Sequence, residues 1–173
     1  AAFAKNRVTL CPEDLREAVD KAIDEMYEAV NNGVYRAGFA FTQDAHEVAV
    51  KELFAALDRY EAILEKQRYL CGDTLTEADV FLFTTLFRFD PVYYVHFKCN
   101  VKRIEDYPAL SAFLRDIYQT DGVAETCNLD HVKEHYYRSH PFLNPRGIVP
   151  VGPELDLRAP HGRERFGGGL RRL

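Results

Sequence analysis

Three groups of side chains in this sequence have types and spacings suited to chemistry. His96 and Cys99 stand three apart in "FRFDPVYYVHFKCN" and would share one face of a helix, an imidazole beside a thiol. Such a nucleophile pair also needs a group that orients the imidazole and a pocket that favours the thiolate. Neither is evident nearby, and Lys98 and Asn100 read as the polar end of a helix, so Cys99 is expected to be structural. His131, Glu134 and His135 in "HVKEH" match the H-x-x-E-H pattern, in which two histidines hold zinc beside a glutamate base. That pattern fixes only three positions, and a further protein ligand would have to come from a Pro/Gly-rich tail. A solvated helix face explains it better, and no metal is expected. The third group is phenolic: Tyr35 in "NNGVYRAGFA", and Tyr136 and Tyr137 in "HYYRSHP". A phenol ionises near 10, so it donates a hydrogen bond to a ligand oxygen while staying neutral. On spacing alone, packing accounts for these tyrosines better.

The elements that must position these groups are helical. From Glu13 to Asn31 the apolar residues Leu15, Val19, Ala22, Ile23, Met26, Tyr27 and Val30 make a stripe. Pro12 opens it, and Asn31-Asn32-Gly33 is expected to close it with Gly33 in a left-handed cap. A second helix is expected over 44–66, with Val50, Leu53, Phe54, Leu57, Tyr60 and Leu64 on one face. In "LCGDTLTEADVFLF", Thr76 stands three residues before Asp79, a capping box with Asp in the second position, and Leu75 and Val80 flank it as a staple. The residues that follow, Val80 to Phe89, are apolar on nearly every side, as befits the central helix of a bundle. Pro91 interrupts or restarts the helix, and 92–97 are expected to continue it. Asp106-Tyr107-Pro108 opens another helix, with Leu110, Phe113, Leu114, Ile117 and Tyr118 as its stripe and Asp121-Gly122 as its end. A short one covers 129–137. No strand pattern and no repeat is visible, so the class is all-α.

Composition narrows the function. The 173 residues suit one domain with a tail, and 47% are apolar, enough for a core. Lys plus Arg number 22 against 27 acidic residues, a net charge of −5, and no basic cluster is interleaved with aromatics. Nucleic acid is therefore not an expected partner; Arg171-Arg172 reads as a solvated end. No apolar stretch approaches the roughly 20 residues of a membrane span, and no signal-peptide pattern opens the chain, so a cytoplasmic protein is expected. The four cysteines, Cys11, Cys71, Cys99 and Cys127, lie far apart and are expected to be reduced thiols, mostly buried.

Taken together, "LTEAD" opening an apolar central helix, "NNGVYRAGFA", the run from Arg68 to Asn100, the run from Phe113 to Pro153, and "PHGRERFG" resemble the xi class of glutathione transferases, the glutathionyl-hydroquinone reductases. The likeness covers residues 10–166. It implies a five- to six-helix bundle of the glutathione transferase C-terminal type over 13–140, preceded at 1–12 by a linker from a thioredoxin-like domain and followed at 141–173 by an extended tail. It further implies that the family's reactive cysteine, in a Cys-Pro-Trp-Ala motif, belongs to that thioredoxin-like half. This sequence has no tryptophan, and Cys11-Pro12 stands at the linker, so the chain by itself is expected to be inactive. In the family, two helical-domain tyrosines hydrogen-bond the quinol oxygen; by motif these correspond to Tyr35 and Tyr136, with Arg36 and Phe39 as neighbouring substrate contacts. Glutathione as co-substrate, aromatic glutathionyl conjugates as substrates and a homodimer complete what the resemblance implies. Two rival readings remain open here: a stand-alone helical binding or dimerisation module, and a metallohydrolase built on His131, Glu134 and His135.

Overall fold

A computed structural model describes residues 8–172; residues 1–7 of the expected lead-in, and Leu173, lie outside the described residues. The helix expected over 13–31 is present but divided. A 3₁₀ turn at Glu13–Leu15 leads into α1, Arg16–Met26, which widens into a π turn at Tyr27–Asn31. There the Asn32 N–H bonds the Tyr27 carbonyl five residues back, at 2.7 Å. The chain does not stop at Gly33 in a left-handed cap. Asn32 keeps right-handed angles (φ −84°, ψ −26°) and Gly33 is the first residue of α2, Gly33–Gly38. The π turn absorbs the change of direction, so no left-handed residue is required.

Helix α3, Gln43–Leu64, starts at Thr42, whose hydroxyl oxygen accepts the Ala45 N–H at 3.2 Å. Helix α4, Glu77–Arg88, runs straight into a second π turn, Phe89–Tyr93. Beyond Tyr93 the expected continuation of the helix is lost: the chain turns and Lys98 takes a left-handed φ of 58°. Pro91, with no N–H to give, is where the α-helical ladder fails. Helices α5, Pro108–Tyr118, and α6, Leu129–Ser139, follow close to their expected positions.

Helix α4 packs between α1 and α5, α2 lies along α3, and α6 rests on the π turn after α4. Leu82, Leu86 and Phe89 are buried to 1% exposure or less, so α4 is the centre of the core. It is not apolar-buried all round, however. Phe81 and Thr84 are exposed, which leaves one stripe of the central helix open.

The start of α4 is fixed by a buried acid. The Asp79 carboxylate, fully removed from solvent, accepts the Leu70 N–H and the Thr76 N–H at 2.8 Å and the Thr76 hydroxyl at 2.9 Å. The capping box read from the sequence therefore also ties down the loop before it. Burial pushes the Asp79 carboxyl up to about 6, against the pull of those donors.

The Pro/Gly-rich tail carries no α-helix among the described residues, yet it is held down along its length. Arg163, 1% exposed, donates to the carbonyls of Leu64 (3.0 Å), Gln67 (2.7 Å) and Arg68 (2.5 Å). These lie at and just beyond the end of α3, where carbonyls lack intrahelical partners. Farther on, Gly168 sits at φ 75° where a Cβ would overlap the Asp73 carbonyl, and Arg171–Arg172 pair antiparallel with Val8–Thr9. Arg171 is exposed, as read, but engages Asp14 at 2.7 Å. The short ladder is a small addition to an all-α fold.

Replacing Asp79 with alanine strands the Leu70 and Thr76 donors. The Asp79→Ala chain is expected to lose about 1–3 kcal/mol of stability in chemical denaturation, as for a lost cap with unsatisfied buried groups.

Candidate functional site

The exposed stripe of α4 forms one wall of a cleft of about 360 Å³, lined by Tyr27, Asn31, Tyr35, Phe81, Thr84, Thr85, Arg88, Tyr93 and Tyr136. Its walls come from α4, α2, α6 and both π turns. Each wide turn delivers residues to the cleft: Tyr27 and Asn31 from the first, Tyr93 from the second. Asn31 locks the first turn to α4 by donating its amide hydrogens to the Phe81 carbonyl and the Thr85 hydroxyl oxygen, both at 2.8 Å.

At the floor three phenols meet. The Tyr35 and Tyr136 hydroxyls, 101 residues apart in sequence, lie 2.5 Å from each other, and Tyr136 lies 2.9 Å from the Tyr93 hydroxyl. The rings are held by an aromatic cluster in which Phe97 stacks on Tyr93 (5.4 Å between centroids) and tilts against Tyr35 (5.4 Å). Gly38 permits this, since a Cβ there would overlap the Phe97 ring. Tyr137 secures α6 from the other side by donating to the Pro91 carbonyl at 3.2 Å.

The direction of the hydroxyl chain follows from burial. Tyr93 is 2% exposed, and its one hydrogen-bond contact is Tyr136. A buried O–H without an acceptor costs about 1–3 kcal/mol, so Tyr93 donates to Tyr136. Tyr136 then donates to Tyr35, and the hydrogen of the half-buried Tyr35 is left to point into the cleft. Burial, and after it the hydrogen bond given to Tyr35, push the Tyr136 phenol up to about 12, while the bond received from Tyr93 pulls the other way. Burial holds Tyr93 well above the ordinary phenol range. Both phenols are thus neutral donors at physiological pH.

Among the other candidates, Arg36 and Phe39 do not line this cleft. Arg36 turns to α3, pairing with Glu52 at 2.7 Å, and Phe39 packs behind Tyr35 against Phe97 and His140. Tyr93 and Arg88 were missed; the aromatic run around Pro91 was the only sequence signal for Tyr93. His96 and Cys99 do not share a helix face, because the chain turns between them. Cys99 is wholly buried and its thiol is pushed up to about 12; His96 instead meets His140, Nε2 to Nδ1, at 3.1 Å. All four cysteines are free, but only Cys99 is buried, the others being partly exposed. His131, Glu134 and His135 are exposed, Glu134 pairs with Arg138, and no cluster of three potential ligands is placed to hold a metal among the described residues. No helix there is long and apolar enough to cross a membrane.

A family model described as "Glutathione S-transferase, C-terminal domain" matches residues 43–116. Glutathionyl-hydroquinone reductase YqjG of Escherichia coli is 55% identical over 90% of this chain, and glutathionyl-hydroquinone reductase PcpF of Sphingobium chlorophenolicum 53% identical over 84%. The solved xi-class glutathione transferase of Natrialba magadii superposes with a TM-score of 0.93 at 54% identity, over 95% of this chain and 50% of that one. The chain belongs to the glutathione transferase family, xi class. It spans about half the length of the curated relatives it matches: 48% of YqjG and 47% of PcpF. The glutathione-bound structure of YqjG itself superposes over 90% of this chain and 50% of that one with a TM-score of 0.88 at 54% identity. In this xi-class helical domain the tyrosine cleft lies outside the segment that the family model matches, apart from its α4 wall and Tyr93.

The imidazole pair carries a pH signature. Burial, then the neighbouring His140 and Lys98 charges, lower His96 to about 4. The unfolded chain takes up that proton near 6.5 and the folded chain does not, so this residue's stabilisation is complete above 6.5 and is lost as pH falls towards 4. Unfolding free energies measured from pH 7 to 4 are expected to fall more steeply for the parent chain than for His96→Gln.

Proposed function

We propose that this chain forms the quinol-binding wall of a glutathionyl-hydroquinone reductase, presenting phenol donors to an aromatic conjugate of glutathione. The observation that carries the reading is the hydroxyl chain of Tyr93, Tyr136 and Tyr35 at the floor of an aromatic-walled cleft. The names of the relatives YqjG and PcpF support the same reaction class.

In this reading a cysteine thiolate from outside these 173 residues attacks the glutathionyl sulfur. A sulfur–sulfur bond forms as the sulfur–ring bond breaks, and the bonding pair passes to the ring and its oxygens. Tyr35 gives its free hydrogen to the quinol oxygen and Tyr136, by donating to Tyr35, strengthens that bond, so the charge growing there meets a donor that is already oriented. The ring takes up a proton and leaves as free hydroquinone. Glutathione, the co-substrate, then attacks the mixed disulfide, releasing oxidised glutathione and restoring the thiolate. The thiols of this chain are poor substitutes: Cys99 is sealed in the core, and desolvation raises Cys11, Cys71 and Cys127 as well. The same reading makes the protein a homodimer through its helical domains, and the wholly exposed Phe41 is the kind of surface such an interface covers.

In the intact protein, Tyr35→Phe and Tyr136→Phe are each expected to lower kcat for a glutathionyl-hydroquinone by about 10²-fold, the scale of a lost oxyanion donor, with the fold unchanged by circular dichroism. Wild-type rates in both variants would return these phenols to a packing role. The 173-residue chain alone is expected to show no turnover of the same conjugate, and robust turnover would place the nucleophile within it.

A further inference from the structure

Resting on that reading, the cleft also carries information about which conjugates it takes. Arg88 is the only charged side chain in its lining. It donates to the Thr84 carbonyl four residues back at 2.7 Å, the ordinary use of an arginine in a last helical turn. That contact occupies one of five N–H donors. Among the described residues Arg88 makes no ion pair, a state it shares with Arg59, Arg115, Arg146, Arg158 and Arg165, but it alone of these lines the cleft. No carboxylate lines the cleft, so nothing there competes for the guanidinium.

The remaining lining presents few free donors. The Thr84 hydroxyl is given to the Phe81 carbonyl at 3.0 Å and the Tyr93 and Tyr136 hydrogens to the phenol chain, which leaves the Tyr35 hydrogen facing the space, while Tyr27 (50% exposed) and Phe81 (39% exposed) supply flat walls. A ligand that satisfies this set is aromatic, brings an oxygen acceptor to Tyr35 and brings a negative charge to Arg88. Quinol hydroxyls ionise near 10 and are neutral at physiological pH, so a charge carried by the ring comes from a substituent. A carboxylate matches the planar fork of the guanidinium through two parallel hydrogen bonds.

We propose that Arg88 selects glutathionyl-hydroquinones whose ring bears a carboxylate, making anionic hydroquinones the preferred substrates of this cleft. Glutathione has carboxylates of its own, and the test must separate the two sources. In the intact protein, kcat/KM is measured for two conjugates, one with a ring carboxylate and one with an unsubstituted ring, for wild type, Arg88→Gln and Arg88→Lys. The wild type is expected to prefer the carboxylated conjugate, and increasingly so at low ionic strength. The ratio of the two kcat/KM values should fall about tenfold in Arg88→Gln, with partial recovery in Arg88→Lys, which keeps the charge without the fork. An unchanged ratio overturns the proposal. A proportional loss with both conjugates also overturns it, because Arg88 would then serve the glutathionyl carboxylates or the fold. Failure of the wild type to turn over either conjugate would instead overturn the proposed function, and this inference with it.

Discussion

The Asp79 carboxylate lies in the core with no cation against it, held by the Leu70 and Thr76 N–H groups and the Thr76 hydroxyl. A buried charge without that many donors would be severely destabilising, so the loop at 70–76 has one acceptable path. That path sets both the position and the rotation of α4. Phe81, Thr84, Thr85 and Arg88 then fall on the open stripe of the helix, and its continuation brings Tyr93 to the floor of the cleft. The position of the cleft's α4 wall thus depends on a capping interaction outside the cleft.

The second constraint is the pair of wide turns. Each inserts a residue into a helix, and each supplies cleft residues that an unbroken α-helix would rotate elsewhere. Both are braced by polar contacts: Asn31 ties the first to α4, and Tyr137 closes over the Pro91 carbonyl of the second. The aromatic cluster then fills the space between them. Phe97 reaches the centre of that cluster only because Gly38 has no side chain, so the backbone of α2 and the ring stack of the site are parts of one packing solution.

These dependencies explain what could be read from the sequence. The helices from Gln43 onward were legible because their caps are local: Thr76 with Asp79, and Pro108 at the first turn of α5. Tyr35 and Tyr136 stand out as phenols at helix ends, but only the resemblance pairs them, since spacing alone cannot join residues 101 apart. The π turns have no sequence signature of their own, so Asn31-Asn32-Gly33 reads as a stop where the structure continues into α2. Tyr93 was hidden inside an aromatic run in which its neighbours are core. The tail looked extended because proline and glycine say nothing about long-range donors, and Arg163 finds its three carbonyls 95 to 99 residues away.

The electrostatic character of the cleft runs against that of the chain. The whole sequence carries −5, yet the cleft is lined by one cation, by hydroxyls and by no acid. The Arg88 charge reaches the phenols, lowering the cost of ionising Tyr136, while burial and the bond to Tyr35 raise it. A site with this balance holds its protons when empty and offers the Tyr35 hydrogen and the free N–H groups of Arg88 as donors. A ligand that brings an acceptor to Tyr35 and negative charge to Arg88 completes it, and under the proposed function a quinol oxygen that gains charge as the bond to sulfur breaks would meet those groups better than the oxygen of the conjugate that enters.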